Sequence, residues 1–111
     1  MTRPVNIAEI QDRAEEVSSL LKTLSHANRL LIACELTEGE KSVGEIEANT
    51  GVPQPHLSRD LARLRDADLV LTRRQSKNIY YRLADERLSR LIDALCMAFG
   101  SAPKNKGRKK R

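Results

Sequence analysis

Apolar residues recur at steps of three and four along much of the chain, which is the spacing of one face of an α-helix. The segment NIAEIQDRAEEVSSLLKTLS follows this pattern and predicts a single amphipathic first helix. The segment RLLIACEL is apolar nearly all round, which predicts a second, buried helix. The stripe of the first helix consists of Ile7, Ile10, Ala14, Val17, Leu21 and Leu24.

Two short helices joined by a tight turn are predicted in the middle of the chain. The first, SVGEIEANTG, opens with a capping box from Ser42 to Glu45, ends at Gly51, and is followed by a three-residue turn, residues 51–53. In the second, PQPHLSRDLARLRDADLV, Pro55 suits the first turn and three leucines face the core. Exposed Arg and His on the second helix make this pair a helix-turn-helix. The leucines are Leu57, Leu61 and Leu64, and the opposite face carries Pro55, His56, Arg59, Ala62, Arg63 and Asp66.

The pattern changes after the helix-turn-helix. LVLTRR and NIYYRL predict two short strands around QSK, and a basic hairpin directly after such a helix is a wing. DERLSRLIDALCMAF predicts a last helix with Asp85 as its N-cap. The prediction is thus a mainly α, winged helix-turn-helix domain over residues 1–100, in the order of four helices, a hairpin and a helix. Residues 101–111 show no pattern beyond charge and are predicted to be a disordered basic tail.

Chain length and apolar surface together predict a homodimer. The 111 residues allow one domain, and with only three aromatic residues Leu and Ile must fill most of its core. The first and last helices each carry a long apolar stripe, which a domain of this size cannot cover from within. We therefore expect these two helices to pair with their counterparts in a second copy.

Charge is distributed unevenly along the chain, whose net charge is +5. Residues 1–53 hold five Lys and Arg against nine Asp and Glu, whereas residues 54–82 hold seven against three. Such polarity is typical of proteins that bind polyanions. No segment is suited to a signal peptide or a membrane span, so we expect a cytoplasmic protein with reduced cysteines. With no Ser-His-Asp set and no glycine-rich phosphate loop, neither an enzyme nor a cofactor is predicted.

The exposed face of the second short helix predicts contact with double-stranded operator DNA. The major groove admits an α-helix, and guanine presents two acceptors there that one Arg can bridge. Arg59 and Arg63 are candidates for bases or phosphates, and Arg73, Arg74 and Lys77 of the wing for the flanking backbone or minor groove. The tail KNKGRKKR leaves a non-specific DNA binder open, because such tails add affinity without sequence information. Further candidates at the N-terminal end of the helix are Gln54, Pro55, His56 and Ser58.

Three segments, LKTLSHANRLLIACEL, SVGEIEANTGVPQPHLSRDLARLRDADLV and RRQSKNIYYRL, resemble the ArsR/SmtB family of winged-helix repressors. The resemblance covers about residues 15–99. It implies a homodimer that represses a promoter until an inducer loosens its hold on DNA. Three positions depart from the family pattern: Asp60 stands where His is usual, and Asp68 and Ser76 replace common glycines at the helix end and the wing tip. The operator preference therefore cannot be transferred from relatives.

Metals are the usual inducers of this family, so a metal- or metalloid-responsive repressor is the alternative function. A thiolate site would need a pair such as Cys-x-Cys, but Cys34 is followed by Glu35 and Leu36. A zinc site in the last helix would need His, and that helix has none. No metal ligands are predicted, and a site that uses Cys34 or spans the dimer stays open.

Cys34 and Cys96 are the candidates for sensing an inducer. From spacing alone, two interpretations are equally open: both thiols are buried and only pack in the core, or both thiols react with an inducer. LLIACEL and GEKSVGEIE resemble the sulfide- and redox-responsive BigR and SqrR type of the family. This implies that Cys34 and Cys96 sense reactive sulfur species or oxidants by forming a disulfide or polysulfide bridge. The second Cys of that type falls about one turn later, near Phe99 or Gly100, a shift of about 5.4 Å, so both kinds of bridge stay open.

Overall fold

The computed structural model describes residues 6–100, and the predicted tail lies outside the described residues. The described chain has six helices and one antiparallel sheet, whose strands lie in the order β1-β3-β2. The helices are α1 (Ile7–Gln11), α2 (Ala14–Leu24), α3 (Ala27–Leu36), α4 (Val43–Thr50), α5 (His56–Asp66) and α6 (Glu86–Phe99); the strands are β1 (Lys41–Ser42), β2 (Val70–Gln75) and β3 (Asn78–Leu83).

The prediction of one continuous first helix is wrong, because the structure divides it into α1 and α2. Arg13 has φ −112° and ψ 7°, outside the helical range, and its N–H donates to Ile10 O in a tighter turn. None of the residues of α1 is buried, so within one chain no packing holds α1 in line with α2. Helical stability in proteins comes mainly from such packing.

The helix-turn-helix is formed by α4 and α5, and its predicted first cap is confirmed. Ser42 Oγ accepts a hydrogen bond from Glu45 N at 3.2 Å, and Glu45 Oε1 accepts one from Ser42 N at 2.8 Å. Gly51 ends α4 with φ 77°, a left-handed conformation that glycine adopts at little cost. The predicted three-residue turn is too short: Gln54 and Pro55 form a turn of their own, and α5 begins at His56.

Strand β1 is absent from the predicted order of elements. Its two residues, Lys41 and Ser42, pair with Tyr81 and Tyr80 of β3 and extend the wing to three strands. The predicted hairpin is confirmed, with Gln75 opposite Asn78 at its end. A two-residue strand has no periodicity to find, so a sequence pattern cannot predict it.

Side chains from every major element meet in one core around α3 and α5. The three leucines of α5 are at most 1 % exposed, as predicted, and Ile92 of α6 is fully buried. The prediction that α3 is buried nearly all round holds on one face only, since Leu31 is 48 % exposed. The Nε of the buried Arg29 has no hydrogen-bond partner among the described residues.

In the described range the non-glycine residues with positive φ are Asp68, at 62°, and Ser76, at 59°. Both stand at positions where glycine is common in the family that the sequence resembles. A left-handed conformation costs an L-residue about 1–2 kcal/mol, and a glycine removes that cost while making the unfolded chain more flexible. We expect Ser76→Gly to raise the free energy of unfolding by about 0.5 kcal/mol. Urea unfolding will measure it, and Ser76→Ala, which keeps the Cβ, should bring no gain.

Candidate nucleic-acid interface and thiol pair

The exposed face of α5 presents a set of pre-ordered polar side chains. Ser58 Oγ donates to Gln54 Oε1 at 2.6 Å, which leaves the amide N–H groups of Gln54 free to meet an acceptor. Arg59 Nη2 lies 2.7 Å from His56 Nδ1. Because a guanidinium can only donate, the imidazole accepts at Nδ1 and carries its proton on Nε2. All four side chains are exposed, in the arrangement that a helix entering a groove requires.

Arg63 lies one turn after Arg59 and is also exposed. Within residues 6–100 no other side chain pairs with its guanidinium, so it is available to an anion. The N-terminal end of α5 is open too, since Pro55 provides no side-chain cap and the first turn holds no acid. By contrast, the first turn of α4 is already occupied by the Ser42–Glu45 box. The open end of α5 therefore favours a phosphate.

The three predicted DNA-contacting residues of the wing differ in whether their side chains are already paired within the chain. Arg73 is exposed but already paired within the chain: its Nε and Nη2 donate to Glu40 at 2.9 and 2.7 Å, and its Nη1 donates to Gln75 at 2.6 Å. Its guanidinium also lies 4.8 Å from the centre of the Tyr80 ring. Arg74 and Lys77 are exposed and, in the described part of the chain, make no such pair. The geometry therefore favours Arg74 and Lys77 as the wing groups that are free to bind DNA.

Sequence reasoning missed Glu40, which shapes this part of the surface. Hydrogen bonds from Arg73, and to a lesser degree the nearby charges of Arg73 and Arg82, hold the pKa of the Glu40 carboxyl below its usual value. The partners lie far apart in sequence and meet only because β1 joins the wing sheet. Exposed pairs of this kind contribute little to stability, so their main effect is to orient the side chains.

Cys34 of α3 and Cys96 of α6 lie next to each other. Both are partly buried against the core, and their thiols are free. Burial raises the pKa of the Cys34 thiol to about 12, and the neighbouring Cys96 thiol contributes to this rise by hydrogen bonding and by charge. Cys34 is thus protonated at neutral pH, and a protonated thiol is a poor nucleophile.

Two further features concern metals and membranes. No three His, Cys, Asp or Glu residues within positions 6–100 come together in a way that could hold a metal ion. None of the helices in the described range is long and apolar enough to cross a bilayer.

Comparison with known proteins gives matches over most of the chain. The family described as "Bacterial regulatory protein, arsR family" matches residues 26–72. A biofilm growth-associated repressor of Agrobacterium fabrum is 47 % identical over 95 % of this chain and 94 % of its own length. The crystal structure of the transcriptional repressor BigR from Xylella fastidiosa has a TM-score of 0.80 at 45 % identity, covering 87 % of this chain and 99 % of that one. A homodimeric winged helix-turn-helix domain from Mycobacterium bovis has a TM-score of 0.67 at 28 % identity, covering 88 % and 89 %.

Proposed function

The chain belongs to the ArsR family of bacterial regulatory proteins, and from this premise we propose that it is a homodimeric repressor controlled by its two thiols. In the reduced state the dimer binds its operator. When reactive sulfur species or oxidants bridge Cys34 and Cys96 within a chain, it releases the DNA. The observation that carries this proposal is the contact between these two thiols, which belong to helices far apart in the sequence.

The DNA side of the proposal uses the exposed face of α5 and the tip of the wing. Arg59 and Arg63 would enter the major groove, where Arg bridges the acceptors of guanine. Gln54, Pro55, His56 and Ser58 lie at the end of α5 where helix-turn-helix proteins contact bases. Arg74 and Lys77 would bind the flanking backbone, whereas Arg73 would have to leave Glu40 before it could do so.

The dimer would be built on the apolar surface of the first and last helices. Met97 and Phe99 of α6 are 66 % and 85 % exposed, and Ile7, Ile10 and Leu21 of α1 and α2 are exposed as well. A stable monomer rarely leaves so many large apolar side chains in water on neighbouring elements. The homodimeric state of the domain from Mycobacterium bovis supports a dimer here.

The thiol chemistry balances with a persulfide as the sole co-reactant. In the first step Cys96 attacks the outer sulfur of glutathione persulfide through its thiolate form, gains that sulfur and releases glutathione. Cys34 then attacks Cys96 Sγ as it gives up its proton, the S–S bond of the Cys96 persulfide breaks, and the outer sulfur leaves with that proton as hydrogen sulfide. The products are a Cys34–Cys96 disulfide, one glutathione and one hydrogen sulfide. If both cysteines carry an extra sulfur, the same displacement leaves a trisulfide and one hydrogen sulfide.

The test is intact mass spectrometry before and after glutathione persulfide, with DNA binding measured on the same samples. The DNA is a fragment selected for tight binding by the reduced protein. We expect an intramolecular bridge whose mass gives its number of sulfurs, together with loss of DNA affinity. A protein that keeps its affinity, or that is released from DNA by a metal ion and not by persulfide, would overturn the proposal in favour of the metal-responsive alternative.

A further inference from the structure

The carboxylate of Glu35 joins the turn of α3 that carries Cys34 to the helix-turn-helix and to the wing sheet. Its Oε2 accepts a hydrogen bond from Asn49 Nδ2 at 2.5 Å and lies 3.6 Å from Lys41 Nζ. Asn49 belongs to the last turn of α4, and Lys41 belongs to β1 of the wing sheet. One oxygen atom thus contacts both the helix-turn-helix and the wing.

The side chains around the shared oxygen of Glu35 partly shield it from water. The side chains of Glu35 and Lys41 are only 13 % and 19 % exposed, so water competes weakly for the shared oxygen. Lys41 also pairs with Glu38 at 3.3 Å, but Glu38 is 72 % exposed and no hydrogen bond links it to α4 within the described range. Of the two acids that form ion pairs with Lys41, Glu35 is therefore the one that is also hydrogen-bonded to α4.

Local hydrogen bonds fix the backbone on both sides of the Glu35–Asn49 contact. Cys34 O accepts hydrogen bonds from both the N–H and the Oγ1 of Thr37, which fix the last turn of α3, including Glu35. On the other side, Thr50 Oγ1 donates to Ile46 O and accepts from Val52 N, so the end of α4 and the turn into α5 are held together. A displacement of one end will therefore reach the other through few intermediate atoms.

A sulfur bridge would produce such a displacement. A disulfide holds the two sulfurs about 2.0 Å apart, closer than any contact between free thiols, and ties α3 covalently to α6. Packed interiors respond to such shifts by discrete rearrangement rather than by smooth deformation. The last turn of α3 carries Glu35 with it, and the contacts to Asn49 and Lys41 change at the same time.

We propose that Glu35 is the positioning residue that transmits bridging of Cys34 and Cys96 to the helix-turn-helix and the wing. The inference rests on the proposed thiol switch and adds the route by which the switch acts. In the reduced state Glu35 holds α4 and β1 in the positions that present α5 and the wing to one DNA duplex. In the bridged state that hold is lost.

The test compares the full-length chain with its Glu35→Ala variant. For each, the dissociation constant for DNA is measured in the reduced and in the bridged state, with the bridge verified by mass. The ratio of the two constants for the variant should be at least about fivefold smaller than for the parent, since couplings of this kind span about 5–150-fold. Because the variant lacks the hold in both states, its reduced form should bind DNA with an affinity close to that of the bridged parent, and bridging should change that affinity little.

Two more variants and one further readout keep the result decisive. Glu38→Ala also removes an acid beside Lys41 but leaves the link to α4, so it should keep the parental ratio. Asn49→Ala cuts the link from its exposed side and should lower the ratio like Glu35→Ala, even if the latter folds poorly. Hydrogen exchange in residues 49–55 should change on bridging in the parent and in Glu38→Ala, and stay unchanged in the other two.

The outcomes separate this inference from the proposed function. If the parent is released on bridging and Glu35→Ala is released to the same extent, the route is wrong and the thiol switch stands. The same holds if Glu38→Ala loses as much of the ratio as Glu35→Ala does. If the bridged parent still binds DNA with full affinity, the thiol switch itself is wrong and the route through Glu35 is wrong with it.

Discussion

A variant with both Cys34 and Cys96 replaced by serine is expected to bind operator DNA and to remain bound when glutathione persulfide is added. Serine is close to cysteine in size, and both positions are only partly buried, so the fold and the DNA-binding face should survive. Without sulfur no bridge can form. The parent should lose about 5–150-fold in affinity under the same treatment, which is the usual size of an allosteric coupling, and the variant less than about twofold. Fluorescence anisotropy with labelled DNA will measure both.

The single variants distinguish bridging from simple modification. Cys34→Ser keeps Cys96, which can still take a sulfur from the persulfide but has no neighbouring thiol to join. We expect this variant to gain mass and to keep its hold on DNA. Release of the Cys34→Ser protein would mean that modification of Cys96 alone is sufficient, and release of the double variant would exclude a thiol switch altogether.

Replacement of Arg59 or Arg63 by alanine is expected to cause the largest loss of DNA affinity among substitutions on the surface. An Arg that bridges a guanine contributes about 1–3 kcal/mol of discrimination, which corresponds to about 5–150-fold. An Arg that only binds a phosphate lowers affinity for all sequences alike and reduces the salt slope by about 0.9. Titrations at several salt concentrations, with the selected fragment and a scrambled one, will assign each residue to one of these roles.

Arg65 provides the matched control for these two variants. It lies on the same helix, carries the same charge and is also exposed, but the helical period places it off the face that carries Arg59 and Arg63. Arg65→Ala should change affinity by less than about threefold, as expected for the loss of a distant, screened charge. If Arg65→Ala lost as much affinity as Arg59→Ala, general charge rather than the face of α5 would explain binding.

Local sequence signals predicted the parts of the fold that depend on near neighbours. The Ser42–Glu45 box, the Asp85 cap, whose Oδ1 accepts from Leu88 N, and the buried leucines of α5 each lie within one or two turns of their partners. The break at Arg13 escaped prediction, because apolar spacing continues across it and only the lack of packing on α1 allows it. The spacing of apolar residues along a helix does not show whether another element packs against that helix.

The exposure of the α5 face was predictable from the sequence, whereas the contacts made by the candidate residues were only partly predictable. The arginines of α5 could be placed from the helical period, and the structure leaves them exposed. Arg73 was assigned to DNA by its charge, but the structure pairs it with Glu40, which β1 brings beside the wing. The contact between Cys34 and Cys96 likewise depends on how α3 packs against α6, which no short-range pattern encodes.

Because the two thiols that meet belong to one chain, a dimer carries two separate copies of the pair. If they react independently, the share of dimers with both pairs open falls as the square of the share of open chains. If one bridge is enough to release a dimer from DNA, release would then begin while most chains are still reduced. A repressor that needs both bridges would ignore a brief or weak exposure to oxidant and respond only to a sustained one. A plot of the fraction of DNA released against the fraction of bridged chains therefore shows whether one bridge or two are needed to release a dimer from its promoter.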